Sequence, residues 1–316
     1  MSDTRDYFLY SGPMERLVDF DVIKSISENQ KSNAVTLILC TAGGSPDAAY
    51  KIGKYLQSKY EDISILISGI CKSAGTLLAI SANELVFCPY GELGPLDVQM
   101  SKQDNLMSLE SGLNITEALS MLEQRSRDTF HTAVREVVSG SGGVVSFATA
   151  AHSAAELIES MYAPMFGQID PEEVGSRSRA MRVGEYYGTR LNLKFSNLRD
   201  ADSMVTLSRN YPSHGFVIDE HEAKSLFNRV RPATNEEKLL IDALGEACRF
   251  PKPQLEFLHV SHIYEEINKG TAANGDTDHE IAGEADQGKP NGRASSSRTR
   301  KNKVSSGNDS IETGPT

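Results

Sequence analysis

Ser73 stands where an apolar run gives way to a small-residue helical pattern, in the segment Gly69-Ile-Cys-Lys-Ser-Ala-Gly75. A serine at such a junction has two uses. It can cap the next helix, which is worth about 1 kcal/mol. It can also act as a nucleophile, because the helix dipole and the Ala74 N–H can stabilise negative charge as the hydroxyl attacks a carbonyl. A second turn, Gly43-Gly44, separates another apolar run from another helical pattern. A tight turn that needs positive φ explains one glycine. Two adjacent glycines also bare backbone N–H groups that can bind an anion or a developing oxyanion. No Lys-Ser or Lys-Thr follows at the spacing of a phosphate loop. The Gly140-Ser-Gly-Gly143 cluster does not follow a strand pattern and is no dinucleotide fingerprint.

A serine nucleophile needs a base, and the chain offers several. His214 follows Pro212-Ser213, and Asp97 follows Leu93-Gly-Pro-Leu96. Taken alone, Asp97 could cap a turn and His214 could be a loop residue satisfied by backbone. His131 and His152 fall on helical patterns, where structural or surface roles are the usual ones. His221 lies between Glu220 and Glu222 on a solvated face, and His259 and His262 lie close to a polar tail. Lys72 and Lys102 are alternative bases, since a desolvated lysine can activate a serine. The polar stretch Ser101-Lys-Gln-Asp104 argues against Lys102, and Lys72, adjacent to Ser73, is expected to point elsewhere.

The elements that must hold these groups follow from the hydrophobic pattern. Val35–Cys40, Ile63–Ile67 and Glu84–Cys88 read as strands, the first two buried on both faces. Asp47–Lys59 and Ser73–Ala82 read as the helices between them, which implies crossover units and a parallel sheet. A polar lead and a short helix, Leu17–Ile26, come before. Helical patterns come next at about 115–138, 146–167 and 171–191, then a short strand-and-helix unit at Gly215–Val230 and a helix at Asn235–Phe250. Residues 270–316 are Gly, Ser, Asn, Asp and Thr with scattered charges. They cannot bury enough surface to offset chain entropy and are expected to be disordered. Arg298, Arg300, Lys301 and Lys303 form a basic cluster there, read as a solvated charge run.

The 316 residues carry 32 basic and 43 acidic side chains, a net charge of −11. That balance disfavours nucleic acid and anionic membrane as partners, because both require a positive field. No apolar run approaches the ~20 residues of a membrane span, and residues 1–6 lack a signal pattern. Cys40, Cys71, Cys88 and Cys248 show no CxxC spacing, so no structural metal is expected; they read as reduced, buried thiols of a cytoplasmic protein.

The ordered set Thr41-Ala-Gly-Gly-Ser45, Lys72-Ser-Ala-Gly-Thr76 and Leu93-Gly-Pro-Leu-Asp97 resembles the ClpP/crotonase superfamily. Within it the chain is most similar to the serine dehydrogenase proteinase branch, ClpP-fold serine proteinases related to signal-peptide peptidase A. Arg179-Ala-Met-Arg-Val-Gly184 and Tyr211-Pro-Ser-His-Gly-Phe-Val-Ile-Asp219 also look like that branch. The likeness spans about residues 30–232. It implies a ClpP/crotonase-like α/β fold with a mainly parallel sheet, flanking helices and a helical insert at about 115–191. A leading segment (1–30), a helical extension (233–269) and the tail (270–316) complete the chain. It implies a serine peptidase with Ser73 as nucleophile, Asp97 and His214 completing a triad, and Gly44 and Ala74 N–H groups as oxyanion hole. The implied substrate is a peptide or protein, the implied assembly a homo-oligomer, and no cofactor or metal is implied. Ala42 departs from the pattern, standing where ClpP-type loops carry proline. Two other readings stay open: a non-catalytic ClpP-like scaffold, and a crotonase-type enzyme that holds an acyl-thioester oxyanion and binds coenzyme A.

Overall fold

The apolar runs pair as a parallel sheet in the computed structural model, which describes residues 5–96, 99–101 and 109–275. Strand β2 (Ala34–Thr41) lies beside β3 (Asp62–Cys71), and β3 beside β4 (Glu84–Phe87), all parallel. Between them run α2 (Pro46–Lys59) and α3 (Ala74–Ala79). The start of α2 is set locally: Ser45 Oγ accepts the Ala48 N–H, and Pro46 sits in the first turn. Two short strands extend this sheet on the β4 side. Strand β5 (Glu92–Leu93) pairs with the far end of β3, and β8 (Val230–Pro232) with β4.

Two further strands lie on the other side. Strand β1 (Asp6–Ser11) pairs parallel to β2, and β9 (Glu256–His259) pairs antiparallel to β1. The sheet order is β8-β4-β3-β2-β1-β9. The lead expected to be polar thus contains a strand buried at each of its six positions. Its tyrosines disguise it, since their hydroxyls count as polar while their rings fill the core.

Strand alternation divides the core between the two faces of the sheet. Phe8, Tyr10, Leu37, Leu39, Ile65, Ile67, Leu85 and Phe87 face one way. They pack with α1 (Val18–Asn29), α2, α3 and α6 (Pro171–Phe195). Leu9, Ile38, Leu66 and Val86 face the other way, toward α9 (Asn235–Leu244) and α10 (Ser261–Gly275). Helix α9 ends where Gly245 takes φ 71°, and a 3-10 turn continues to Cys248. The single helix expected over 235–250 is therefore two elements.

The helical segment contains α4 (Gly112–Gly140) and α5 (Phe147–Phe166), which share a small core of Val134, Ala150 and Ala154. Helix α6 then returns to the sheet. Gln57, buried in α2, donates to Leu191 O (2.7 Å) and Ser81 O (3.0 Å), joining α2, the turn after α3, and α6. After it come α7 (Ala201–Val205), a π-helical turn (Thr206–Asn210) and α8 (Glu220–Leu226). Strands β6 (Gln99–Ser101) and β7 (Leu109–Ser111) form a separate antiparallel pair.

By packing the chain divides into Met1–Ala272 and Ala273–Thr316. Helix α10 reaches Gly275, so the first residues expected to be disordered are helical; residues 276–316 lie outside the described residues. All four cysteines are free and buried. Burial pushes the thiols up, to about 11 at Cys88 and about 12 at Cys40 and Cys248, and Cys71 rises further. Among the described residues, no helix is long and apolar enough to cross a membrane.

Candidate active site

The site is built where β2 and β3 end. The two strands run in register until Leu39 opposes Ile67, after which Thr41 opposes Cys71, so β3 bulges before its end. A bulge bends a strand and re-aims the residues beyond it. Here it is held from behind by the 3-10 turn: Ser68 Oγ donates to Cys248 O (2.5 Å), and the Ile70 N–H to Arg249 O (3.4 Å). The chain then turns sharply through Lys72 and Ser73 into α3.

Ser73 has φ 52° and ψ −112°. It is one of three non-glycine residues with positive φ among the described residues. Such a conformation costs an L-residue on the order of 1–3 kcal/mol and persists only where its surroundings over-determine it. The surroundings are visible. The Lys72 N–H donates to Thr41 O (2.9 Å), and the Gly75 N–H to Lys72 O (2.8 Å). A Cβ on Gly75 would come within 2.6 Å of Thr41 Cγ2 and 2.8 Å of Cys71 Sγ, so only glycine lets the turn close this tightly. Ser73 occupies the N-cap position of α3 yet makes no capping hydrogen bond from its side chain. The capping use of this serine is not the one the fold makes of it. A strained serine on a strand-to-helix turn is the geometry of a nucleophile elbow, in which the next N–H faces the oxyanion. Ala74 is that next residue and the first of α3, where N–H groups have no intrahelical acceptor.

The glycine turn lies against this one. A Cβ on Gly43 would stand 2.8 Å from Ser73 Cβ and 2.9 Å from Lys72 O. Gly43 and Gly44 have φ 104° and 137°, as the sequence required of at least one of them. The Gly43 N–H donates to Thr41 Oγ1 (3.0 Å), which leaves the Gly44 N–H as the turn's donor for a ligand. Met14, beyond the end of β1, clamps the turn. Its N–H donates to Gly43 O (2.9 Å), and its carbonyl accepts the Ser45 N–H (2.7 Å).

His214 reaches the same place on a loop. A turn closed by the Phe216 N–H on Ser213 O (3.1 Å) presents it. The Tyr211 hydroxyl, donating to Glu222 Oε1 (2.7 Å), holds one end, and reciprocal bonds between Ile218 and Leu93 (2.9 and 3.0 Å) hold the other. Gly44, Ser73, Ala74 and His214 line one cavity of about 310 Å³, whose apolar wall is made by Leu77, Leu96 and Gly184 of α6.

Asp97 comes directly after Leu96 in the chain but lies outside the described residues, as does Lys102. Lys72 does not face the cavity. Its buried ammonium reaches Leu93 O (3.1 Å), Phe216 O (3.0 Å) and Glu92 Oε1 (3.0 Å) instead. The other histidines among the described residues are elsewhere. His131 lines a groove of α4, exposed His152 pairs with Glu156 (3.5 Å), and His221 is on α8. His259 contacts Ser261 Oγ at 2.8 Å on β9, where burial holds its pKa down. Sequence reasoning gave no role to Gly184 or Leu96, which form cavity wall. Both lie within or beside the motifs singled out, yet only the return of α6 to the sheet brings Gly184 there. Among the described residues, no cluster of three or more His, Cys, Asp or Glu could hold a metal ion.

No family model matches the sequence. The chain is similar to an uncharacterized protein of Methanocaldococcus jannaschii, with 28% identity over 82 residues, 26% of this chain and 29% of that one. It thus spans under a third of the length of that curated relative. Among solved structures it is similar to two mutants of a 1510-N membrane-bound stomatin-specific protease, one in complex with a substrate peptide. Identities are 16% and 17%, TM-scores 0.28 and 0.29, with 41% of this chain and 60% and 57% of those chains covered.

Proposed function

We propose that the chain is a serine-type peptidase. The observation that carries the reading is the strained Ser73 in one cavity with His214 and with the Gly44 and Ala74 backbone. Ser73 Oγ attacks the scissile carbonyl and its proton passes to His214. The carbonyl oxygen becomes an oxyanion held by the Gly44 and Ala74 N–H groups. The intermediate collapses to an acyl-Ser73 ester as His214 protonates the leaving amine. Water, deprotonated by His214, then attacks the ester, and His214 returns that proton to Ser73 Oγ as the acyl–oxygen bond breaks and the acid product leaves. Asp97 takes the role of the carboxylate that orients the imidazole, on the strength of the resemblance in its motif. The substrate is a peptide or protein segment. In keeping with that resemblance, the chain works as a homo-oligomer, and its reduced, buried thiols fit the cytoplasm.

Reaction of the purified chain with a fluorophosphonate, then peptide mass spectrometry, tests the scheme. Ser73 should carry the adduct. Ser73→Ala should abolish it, and His214→Ala should slow it by about 10²–10⁴-fold, the usual share of a general base. Folded protein with no adduct at Ser73 would overturn the peptidase reading in favour of a binding scaffold. Tight coenzyme A binding by calorimetry would favour the thioester chemistry instead.

A further inference from the structure

Lys72 precedes Ser73, and its role is structural in an uncommon way. Its ammonium is buried, which is costly unless every donor finds an acceptor. A lysine has three N–H donors and no acceptor. The three partners are Leu93 O, Phe216 O and Glu92 Oε1, all at 3.0–3.1 Å. They come from two pieces of chain. Glu92 and Leu93 form β5, while Phe216 closes the turn that presents His214. The other end of Lys72 is fixed too, with its backbone N–H on Thr41 O and its carbonyl on the Gly75 N–H. One residue is therefore bonded at its backbone to the Ser73 turn and at its side chain to the His214 loop.

Gly94 makes room for this. A Cβ there would lie 2.4 Å from Lys72 Cδ and 3.3 Å from its Cβ and Cγ. The stem passes over a residue that has no side chain to obstruct it.

We infer that Lys72 is a positioning residue, whose ammonium ties the His214 loop to the Ser73 turn and so sets the place of the imidazole. The inference rests on the proposed roles of Ser73 and His214. It assigns Lys72 no proton transfer, since its three donors are directed away from the cavity. Misplacing a reacting group by about 1 Å can cost on the order of 10²-fold in rate. The tether should therefore act on the rate of the chemical step more than on binding.

The test compares three variants of the full chain. Lys72→Met is made together with Glu92→Gln, so that no carboxylate is left without its counter-charge. Gly94→Ala keeps the charge but crowds the stem. Glu92→Gln alone keeps the ammonium and both carbonyl contacts. Each is checked for folding by thermal unfolding. The maximal rate of fluorophosphonate inactivation should fall about 10–100-fold in the double variant. In Gly94→Ala it should fall in the same direction, with the inhibitor's half-saturating concentration within about threefold of wild type. Glu92→Gln should stay close to wild type. The His214 imidazole resonances, read by NMR, should move in the first two variants and not in the third. Unmoved His214 resonances in folded Gly94→Ala and the double variant would overturn the inference whether or not Ser73 reacts. An equal loss of rate in all three would overturn it as well. Absence of any adduct on wild type is a separate failure, that of the peptidase reading.

Discussion

Replacing Ser73 by glycine should make the protein more stable than replacing it by alanine. At an ordinary half-buried site the order is the reverse. Glycine adds unfolded-state freedom worth about 0.4–1 kcal/mol. It also gives up the burial of one methyl group, here about half of the ~0.8 kcal/mol for full burial, because Ser73 is half-buried. An ordinary position would thus leave Ser73→Gly about 1 kcal/mol less stable than Ser73→Ala. The backbone of Ser73, at φ 52° and ψ −112°, changes the sign. Alanine keeps a Cβ and keeps the strain, on the order of 1–3 kcal/mol, whereas glycine adopts the region freely. With a strain near the middle of that range, about 2 kcal/mol, Ser73→Gly should exceed Ser73→Ala by about 0.5–1 kcal/mol, or ~1–2 °C in Tm for a domain of this size. Urea unfolding of both variants, with equal slopes, measures the difference directly. Ser73→Gly less stable than Ser73→Ala by about 1 kcal/mol would refute the claim that the turn is strained. With it would go the argument that the fold holds this serine in place at a cost to stability.

Two more perturbations bear on the same geometry. Gly44→Ala places a Cβ 2.1 Å from Met14 O at φ 137°, so left-handed strain of about 1–2 kcal/mol adds to overpacking of about 1–3 kcal/mol. Denaturant unfolding should show that loss, and Ser73 labelling should fall with it; Gly140→Ala, at the end of α4 with nothing within 4 Å, serves as the control and should instead gain about 0.4–1 kcal/mol. Glu185, next to Gly184 in the cavity wall, accepts from Arg209 Nε and Nη2 (2.8 and 3.1 Å) and from Ser208 Oγ (3.0 Å). Arg209 chiefly, then Ser208, hold its carboxyl below the usual range against the opposing effect of burial. A depressed carboxyl stabilises the fold above the unfolded pKa, about 4.3, and loses that contribution as pH falls through the lower folded value. Arg209→Gln should therefore cost ~0.5–1 kcal/mol near pH 7, and the two proteins should converge in stability in acid. A difference that persists unchanged in acid, once Glu185 is protonated in both states, would point to lost packing instead.

The central part of the sheet was legible because its strands are buried on both faces and read as unbroken apolar runs, Val35–Cys40 and Ile63–Ile67 above all. The two outer strands were not. Strand β1 mixes tyrosine with leucine and phenylalanine. Strand β9, Glu-Phe-Leu-His, is a half-exposed edge whose partner lies some 250 residues earlier. Nothing local marks either one. Lys72 is a related case. Sequence correctly sends it away from Ser73, but its acceptor at Phe216 is 144 positions along the chain and leaves no local trace. Ser73 itself was ambiguous for a definite reason. A capping serine and a nucleophilic serine occupy the same place in a strand–helix junction, and only the backbone angles separate them. The pairing of Gly43 with Thr41 Oγ1, which singles out Gly44, likewise depends on a side-chain rotamer that no spacing encodes.

The four buried thiols provide a built-in clock for local opening. Thiolate, not thiol, reacts with alkylating agents, and these thiols are both shielded and pushed up in pKa. Each can react only when its own neighbourhood opens. Cys40 reports on the end of β2, Cys88 on the edge near β8, and Cys248 on the 3-10 turn behind the bulge. Cys71, two residues before Ser73, reports on the turn itself. Pulsed alkylation with mass spectrometry would read four opening rates from one unmodified molecule. The rate at Cys71 relative to the others would show whether the Ser73 turn breathes alone or only when the sheet around it comes apart.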